Sequence, residues 1–342
     1  MQKLEKKYFY STALLILFAV LVSGYFLGAY IQKNKYVTFL QGFKQLRENN
    51  DKYTLINPLV GGISPPSTTV GIYSDLQEEI LSYLKKQEKS GALTDHSFYF
   101  RDLGTGFWFG LNETADFSPA SLFKLPIAIA VYKQGEDDDS FLKKRVLYTK
   151  ETAQINNIVS SNAESSLVIG DSYAIEDLVF IMLTQSDNGA KNLLLSAADK
   201  KYINQLFSLI SLAKLSDTSG AYEISSRKYA LFLRMLYGSS YINEEHSELI
   251  LKLLSESTFK EGLIAGIPKG TVIAHKYGVY DFEGLVKGEM KPMRQLHDCG
   301  IVYHEERPYV FCLMTKGEKL SDLYNVISHI SKLVYDYQEE GK

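Results

Sequence analysis

The chain predicts an α+β fold: an antiparallel sheet flanked by terminal helices, with a helical lobe inserted between its strands and one N-terminal transmembrane helix ahead of it. Three observations carry that prediction. Apolar residues recur at helical spacing shortly after residue 70 and again at the C-terminal end. Aromatic and β-branched runs separated by turn residues occur twice, around residues 97–109 and 272–315. Between these two places the apolar runs have helical spacing. The 342 residues, 45% hydrophobic and 23% charged, have ordinary globular composition and suffice for one large domain.

Tyr8 to Gln32 contains no charged residue, and Ala13-Leu14-Leu15-Ile16-Leu17-Phe18-Ala19-Val20-Leu21-Val22 lies at its centre. About 20 apolar residues span a bilayer core, so this stretch is long enough to cross with some tilt. Tyr8, Tyr10, Tyr25 and Tyr30 stand near its ends, where aromatic belts form. The run outlasts the usual core of a cleaved signal, about 7–15 residues, and no small-residue cleavage site follows it. The expected organisation is a cytoplasmic tail at 1–7, an uncleaved anchor at 8–32, a juxtamembrane linker at 33–70 and a domain at 71–338. That places a single-pass protein in the cell membrane with its domain extracytoplasmic. Gly61-Gly62-Ile63-Ser64-Pro65-Pro66-Ser67 breaks regular structure within the linker.

Leu76, Ile80, Leu81 and Leu84 mark the first helix of the domain. Ser97-Phe98-Tyr99-Phe100 and Phe107-Trp108-Phe109, separated by Asp102-Leu103-Gly104-Thr105-Gly106, read as a β-hairpin. Helical spacing then marks segments near 122–134, 175–185, 187–197, 200–212, 225–238 and 244–255. The acidic run Glu136-Asp137-Asp138-Asp139 reads as a solvated loop. Val272-Ile273-Ala274-His275-Lys276 returns the chain to strands, followed by a pair between Cys299 and Thr315. Leu320, Leu323, Val326, Ile327, Ile330, Leu333 and Val334 form one face of a closing helix.

Cys299 and Cys312 flank the last hairpin, 13 residues apart. A disulfide across the strands and two buried thiols both fit, because an offset of one residue would put them on opposite faces. Six scattered histidines and two cysteines offer no metal-ligand spacing, and no cofactor is expected. A net charge of −3, with no basic run interleaved with aromatics, argues against nucleic acid.

Three short motifs carry chemistry. Ser121-Leu122-Phe123-Lys124 sets a hydroxyl and an amine three residues apart, on one face of a helix that Ser118-Pro119-Ala120 leads into. A neutral lysine there can take the serine proton and create a nucleophile. Ser186-Asp187-Asn188 lies between two helical segments, where a hydroxyl can relay protons and a carboxamide can bond a substrate amide; alone it reads as a plain helix cap. Ala274-His275-Lys276-Tyr277-Gly278-Val279 puts a lysine on a strand with a glycine two residues on. Alone it reads as an edge-strand lysine before a turn glycine.

Together, in this order and in these contexts, the three motifs resemble those of the serine β-lactamase and penicillin-binding protein superfamily. The likeness is nearest to class A β-lactamases and their membrane-anchored relatives, and it spans roughly residues 70–338. The resemblance implies a β-lactamase/transpeptidase-like fold and a membrane-anchored serine hydrolase. It implies that Ser121 is acylated by a β-lactam or a D-Ala-D-Ala-type peptide, with Lys124 deprotonating it and Ser186 relaying a proton to the leaving nitrogen. Asn188 would bind the substrate side-chain amide, Lys276 would hold a substrate carboxylate electrostatically, and Tyr277 and Gly278 would bind substrate beside it. The oxyanion would be received by the backbone N–H groups of Ser121 and Val279. The alternatives are a D,D-peptidase acting on peptidoglycan and a catalytically weakened domain that binds cell wall.

Two departures accompany the resemblance. Tyr277 stands where the family has Thr or Ser, and a phenol cannot place its hydroxyl where a short side chain does. The loop that carries the deacylating glutamate of class A enzymes is missing as well: no Glu followed by Asn stands at the family's spacing between Asn188 and Lys276. Glu223 is the nearest carboxylate, and it reads as a residue beside the N-terminus of the helix that follows. Acylation is expected to outlast hydrolysis.

Overall fold

The computed structural model describes residues 18, 21–26, 46–47, 52–61, 73–154, 165–213, 222–286, 288–305 and 307–340. Most of the expected anchor at 8–32 lies outside the described residues. Within it, residue 18 and residues 21–26 are helical, and Phe18, Leu21, Val22, Tyr25 and Phe26 are exposed. Among the described residues no helix is long and apolar enough to cross a membrane.

The domain opens with helix α1 (Ser74–Ser90), which ends at Gly91 with φ of +82°; the Gly91 N–H bonds back to the last carbonyls. Strands β1 (Asp95–Asp102) and β2 (Trp108–Leu111) pair as the expected hairpin. A single 3₁₀ turn, Ala120–Phe123, precedes α2 (Lys124–Asp137). The helical lobe continues with α3 (Ile175–Thr184), α4 (Asn188–Ala197), α5 (Lys200–Leu209), α6 (Ser226–Tyr237) and α7 (Glu244–Ser255). Side-chain oxygens of Asp187, Asp199, Ser225 and Asn243 cap the starts of the last four of these. Then come β3 (Val272–Val286), β4 (Glu289–Tyr303), β5 (Tyr309–Gly317) and the closing helix α8 (Leu320–Glu339).

The five strands form one antiparallel sheet in the order β2-β1-β5-β4-β3. β1 therefore pairs with β5, and the helical lobe, which lies between β2 and β3 in the chain, links the two edge strands of the sheet. One face packs Phe98, Phe100, Phe311 and Leu313 against Leu76, Ile80 and Leu84 of α1 and Val326, Ile327 and Ile330 of α8. The other face packs Tyr99, Ile301, Val310 and Met314 against the lobe. Each such side chain stabilises the fold by about 1.5–3 kcal/mol on burial. Edge-to-face rings, such as Phe98 on Phe311 at 5.3 Å, give the aromatic-rich composition a structural use.

Three local differences from the expectation have physical causes, and one of the two readings of the cysteines is found. The strand expected at Val272 to Lys276 runs on to Val286, because its hairpin with β4 supplies partners that Gly278, Asp281 and Gly284 would not predict. Cys299 and Cys312 stand directly opposite each other, with no offset, and are joined by a disulfide. The acidic run is no free loop: Glu136 bonds Lys133 and caps the Asn243 N–H, while Asp137 accepts the Tyr202 hydroxyl. Finally, part of the stretch read as linker is docked. The Glu248 carboxylate accepts the N–H groups of Thr54, Leu55 and Ile56, and Leu55 and Ile56 are buried.

Candidate active site

Ser121 sits in the 3₁₀ turn, one residue after Ala120, whose φ of +48° is left-handed and costly for a residue with a Cβ. Non-glycine residues in such conformations cluster at functional sites. The turn leaves Ser121 half-buried and hands the chain to α2, whose first residue, Lys124, is 1% exposed. Lys124 Nζ lies 2.9 Å from Ser121 Oγ, as the three-residue spacing predicts.

The second motif meets the first. Ser186 occupies the turn between α3 and α4, also left-handed with φ of +59°. Its Oγ lies 3.1 Å from Lys124 Nζ, and Lys124 also donates to its carbonyl. Asp187 caps α4 through the Ala190 N–H at 2.8 Å. The same carboxylate collects the Ser165 hydroxyl and both the N–H and hydroxyl of Ser166. Its work is to hold this turn. Asn188, the first residue of α4, is buried beside it.

The third motif closes the group from the edge of the sheet. Lys276 on β3 donates to Ser186 Oγ at 2.9 Å and to its neighbour's carbonyl, Tyr277 O, at 3.1 Å. One hydroxyl is thus shared by two buried lysines, and Ser121, Lys124, Ser186 and Lys276 form a continuous chain. Gly278 explains the close approach of strand and turn. A Cβ there would lie 3.0 Å from Ser121 N and 3.2 Å from Leu122 N, tighter than ordinary contact. The backbone of the turn and the backbone of β3 are therefore packed directly against each other.

Electrostatics favour an amine at Lys124. Burial, then the charges of Lys276 and Lys191, hold its pKa well below the ordinary lysine value, against a smaller opposite pull from Asp187. Burial also pushes Lys276 down to about 7, opposed by Asp298, and Lys191 down to about 8. The charges of Lys276 and Lys191 thus add to burial in discouraging protonation of Lys124. A neutral Lys124 at 2.9 Å can accept the Ser121 proton.

The family profile described as the β-lactamase enzyme family matches residues 75–338. The chain belongs to that family. Comparison with curated protein sequences gives no match. Among solved structures, this β-lactamase-family chain is similar to PBP-A, at 23% identity with a TM-score of 0.66, covering 81% of this chain and 100% of that one. It is also similar to the TLA-1 extended-spectrum β-lactamase, at 18% identity and TM-score 0.64, over 76% and 98% of the two chains. A class A β-lactamase from Mycobacterium abscessus aligns at 17% identity and TM-score 0.62, over 77% and 100%. At these identities the likeness shows the shared fold.

The structure brings together Ser121, Lys124, Ser186, Lys276 and Gly278, with Asn188 buried at the start of α4. Val279 follows Gly278 on the same strand. The Tyr277 ring stacks on Phe259 at 3.8 Å with 10° between planes, and lies 4.4 Å from Lys276 Nζ. Glu223 is exposed, borders an apolar pocket lined by Phe123, Phe207 and Tyr222, and precedes the Ser225 cap of α6. Among the described residues no carboxylate hydrogen-bonds to Ser121, Lys124 or Ser186. Sequence reasoning missed three supporting residues. Lys191 is buried one helical turn after Asn188. His297 donates from Nε2 to Ser118 O at 2.9 Å, tying β4 to the approach of Ser121. Asp298, fully buried, accepts from His275 Nδ1 and the Leu263 N–H. The Lys191 signal lay in its spacing from Asn188; the other two are read only across strands.

Proposed function

We propose that this chain is a membrane-anchored, extracytoplasmic serine hydrolase acylated at Ser121 by β-lactams or D-alanyl peptides. The observation that carries the reading is the chain of contacts from Ser121 through Lys124 and Ser186 to Lys276. Lys124 takes the Ser121 proton as Oγ attacks the carbonyl. Ser186, bonded to both lysines, passes a proton to the leaving nitrogen. The N–H groups of Ser121 and Val279 receive the oxyanion, a role that the close packing at Gly278 supports; losing one such donor costs about 10²–10³ in rate. Asn188 bonds the substrate amide, and Lys276, Tyr277 and Gly278 border the leaving side. The uncharged run at 8–32 supports the anchor.

Release is the weak half. Among the described residues no carboxylate bonds to the Ser121 group, and no family-spaced Glu stands between Asn188 and Lys276, so the acyl-enzyme is expected to persist, as in a penicillin-binding protein. A point mutant of PBP-A, similar in fold at 22% identity, has been captured as an acyl-enzyme complex with penicillin G. A D,D-peptidase acting on peptidoglycan is the same chemistry on a cell-wall peptide. A catalytically weakened cell-wall-binding domain is the second reading, favoured by the aromatic ring over Lys276.

Fluorescent penicillin, incubated with the full chain in detergent and followed by intact mass, tests the proposal. A stable adduct that disappears in Ser121→Ala is expected. No adduct and no turnover, with penicillin or with D-Ala-D-Ala peptides, would leave the binding reading in its place.

A further inference from the structure

Lys276 is held in a way that leaves little for a substrate. An ammonium has three donors. One reaches Ser186 Oγ at 2.9 Å and a second the Tyr277 carbonyl at 3.1 Å. The Tyr277 ring lies 4.4 Å from Nζ, within the distance at which a ring face attracts a cation. Lys276 itself is 1% exposed.

The ring is fixed in place. It stacks on Phe259 at 3.8 Å, and Phe259 meets Tyr324 of α8 at 5.9 Å. The strand contributes too, because Asp298 stands opposite Tyr277 on β4 and its buried negative charge acts on Lys276. A carboxylate arriving here would have to shed its water to reach a lysine already supplied with two oxygens, a ring and a counter-charge. Desolvating a carboxylate is expensive unless the new partners replace its lost hydrogen bonds.

We propose that the Tyr277 ring occupies the approach on Lys276 that a substrate carboxylate needs, so that Ser121 is acylated by donors lacking a carboxylate beside the scissile bond as readily as by donors carrying one. The class includes internal peptide amides and neutral esters or thioesters. The inference rests on the reading of Ser121 as the acylated residue.

Two thioesters of phenylacetylglycine test it, one with a carboxylate on the leaving thiol and one with that carboxylate as its methyl ester. In each, the Ser121 Oγ–carbon bond forms, the carbon–sulfur bond breaks, and the serine proton leaves with the thiol. Acylation of the full chain in detergent is followed by thiol release and intact mass, with rates corrected for each ester's reactivity toward hydroxide. Wild type should show a ratio within about threefold of one, short of the contribution of a charge-assisted hydrogen bond. Tyr277→Thr should raise the preference for the carboxylate about tenfold or more, while Tyr277→Phe, which keeps the ring, should leave it unchanged. A wild-type preference for the carboxylate above about tenfold overturns the proposal whether or not the threonine variant folds. So does a folded threonine variant with an unchanged ratio. Failure of both thioesters to label Ser121 instead removes the acylation reading on which it stands.

Discussion

The Ser121 turn and the Lys276 strand each deliver one buried lysine to the same hydroxyl, and they hold those lysines differently. Lys124 is bonded to oxygens alone, Ser121 Oγ and Ser186 Oγ and carbonyl, with two further lysines lowering its proton affinity. Lys276 is bonded to Ser186 Oγ as well, but an aromatic ring lies beside it and a buried aspartate stands behind its strand. The first environment favours a neutral amine. The second holds a cation back from solvent. The two lysines reach the same hydroxyl from opposite sides, one from the helical lobe and one from the sheet.

The largest effect separating the two is expected at Lys124. Lys124→Met should lower acylation of Ser121 by about 10²–10⁴, the usual contribution of a positioned base, measured as labelling rate by intact mass. A residual rate near wild type would break the comparison by moving the base elsewhere.

Asp298→Asn comes next, and acts on the strand side. It removes a buried charge bonded to His275 and the Leu263 N–H, and chemical denaturation should show a loss of about 3 kcal/mol. Unchanged stability would mean that the strand half does not depend on that charge.

The smallest effect sharpens the first half. Acylation needs Lys124 as an amine, so its rate rises with pH through the Lys124 pKa. Lys191⁺ lowers that pKa, so Lys191→Met should move the rising limb to higher pH and slow acylation at a given pH along it. Lys191 loses its own charge above about pH 8, so wild type and variant should converge there. A uniform loss of rate across the profile would instead mark a merely structural role.

Much of the site was legible before folding. Ser121 and Lys124 are three apart, Ser186 and Asn188 flank a capping aspartate, and Gly278 follows Lys276 at two residues; each is a local spacing with a local geometry. The helices of the lobe were legible for the same reason, because 3.6-residue periodicity and Ser, Asp or Asn caps are short-range signals. The length of β3 was not. Its residues 277–286 carry glycines and acids that no strand propensity favours, and only the register against β4 keeps them extended.

By itself the sequence determined the order of elements, the three motifs and the absence of a family-spaced deacylating glutamate, because these are properties of neighbours along the chain. Tertiary structure alone decided that Cys299 faces Cys312, that Lys191 shares the electrostatics of Lys124, and that Tyr277 turns its ring to Phe259 and Lys276. Each of these depends on strand register or on burial beside a residue distant in sequence. A shift of one residue in pairing would move the strand side chains among them, Cys299, Cys312 and Tyr277, to the other face of the sheet.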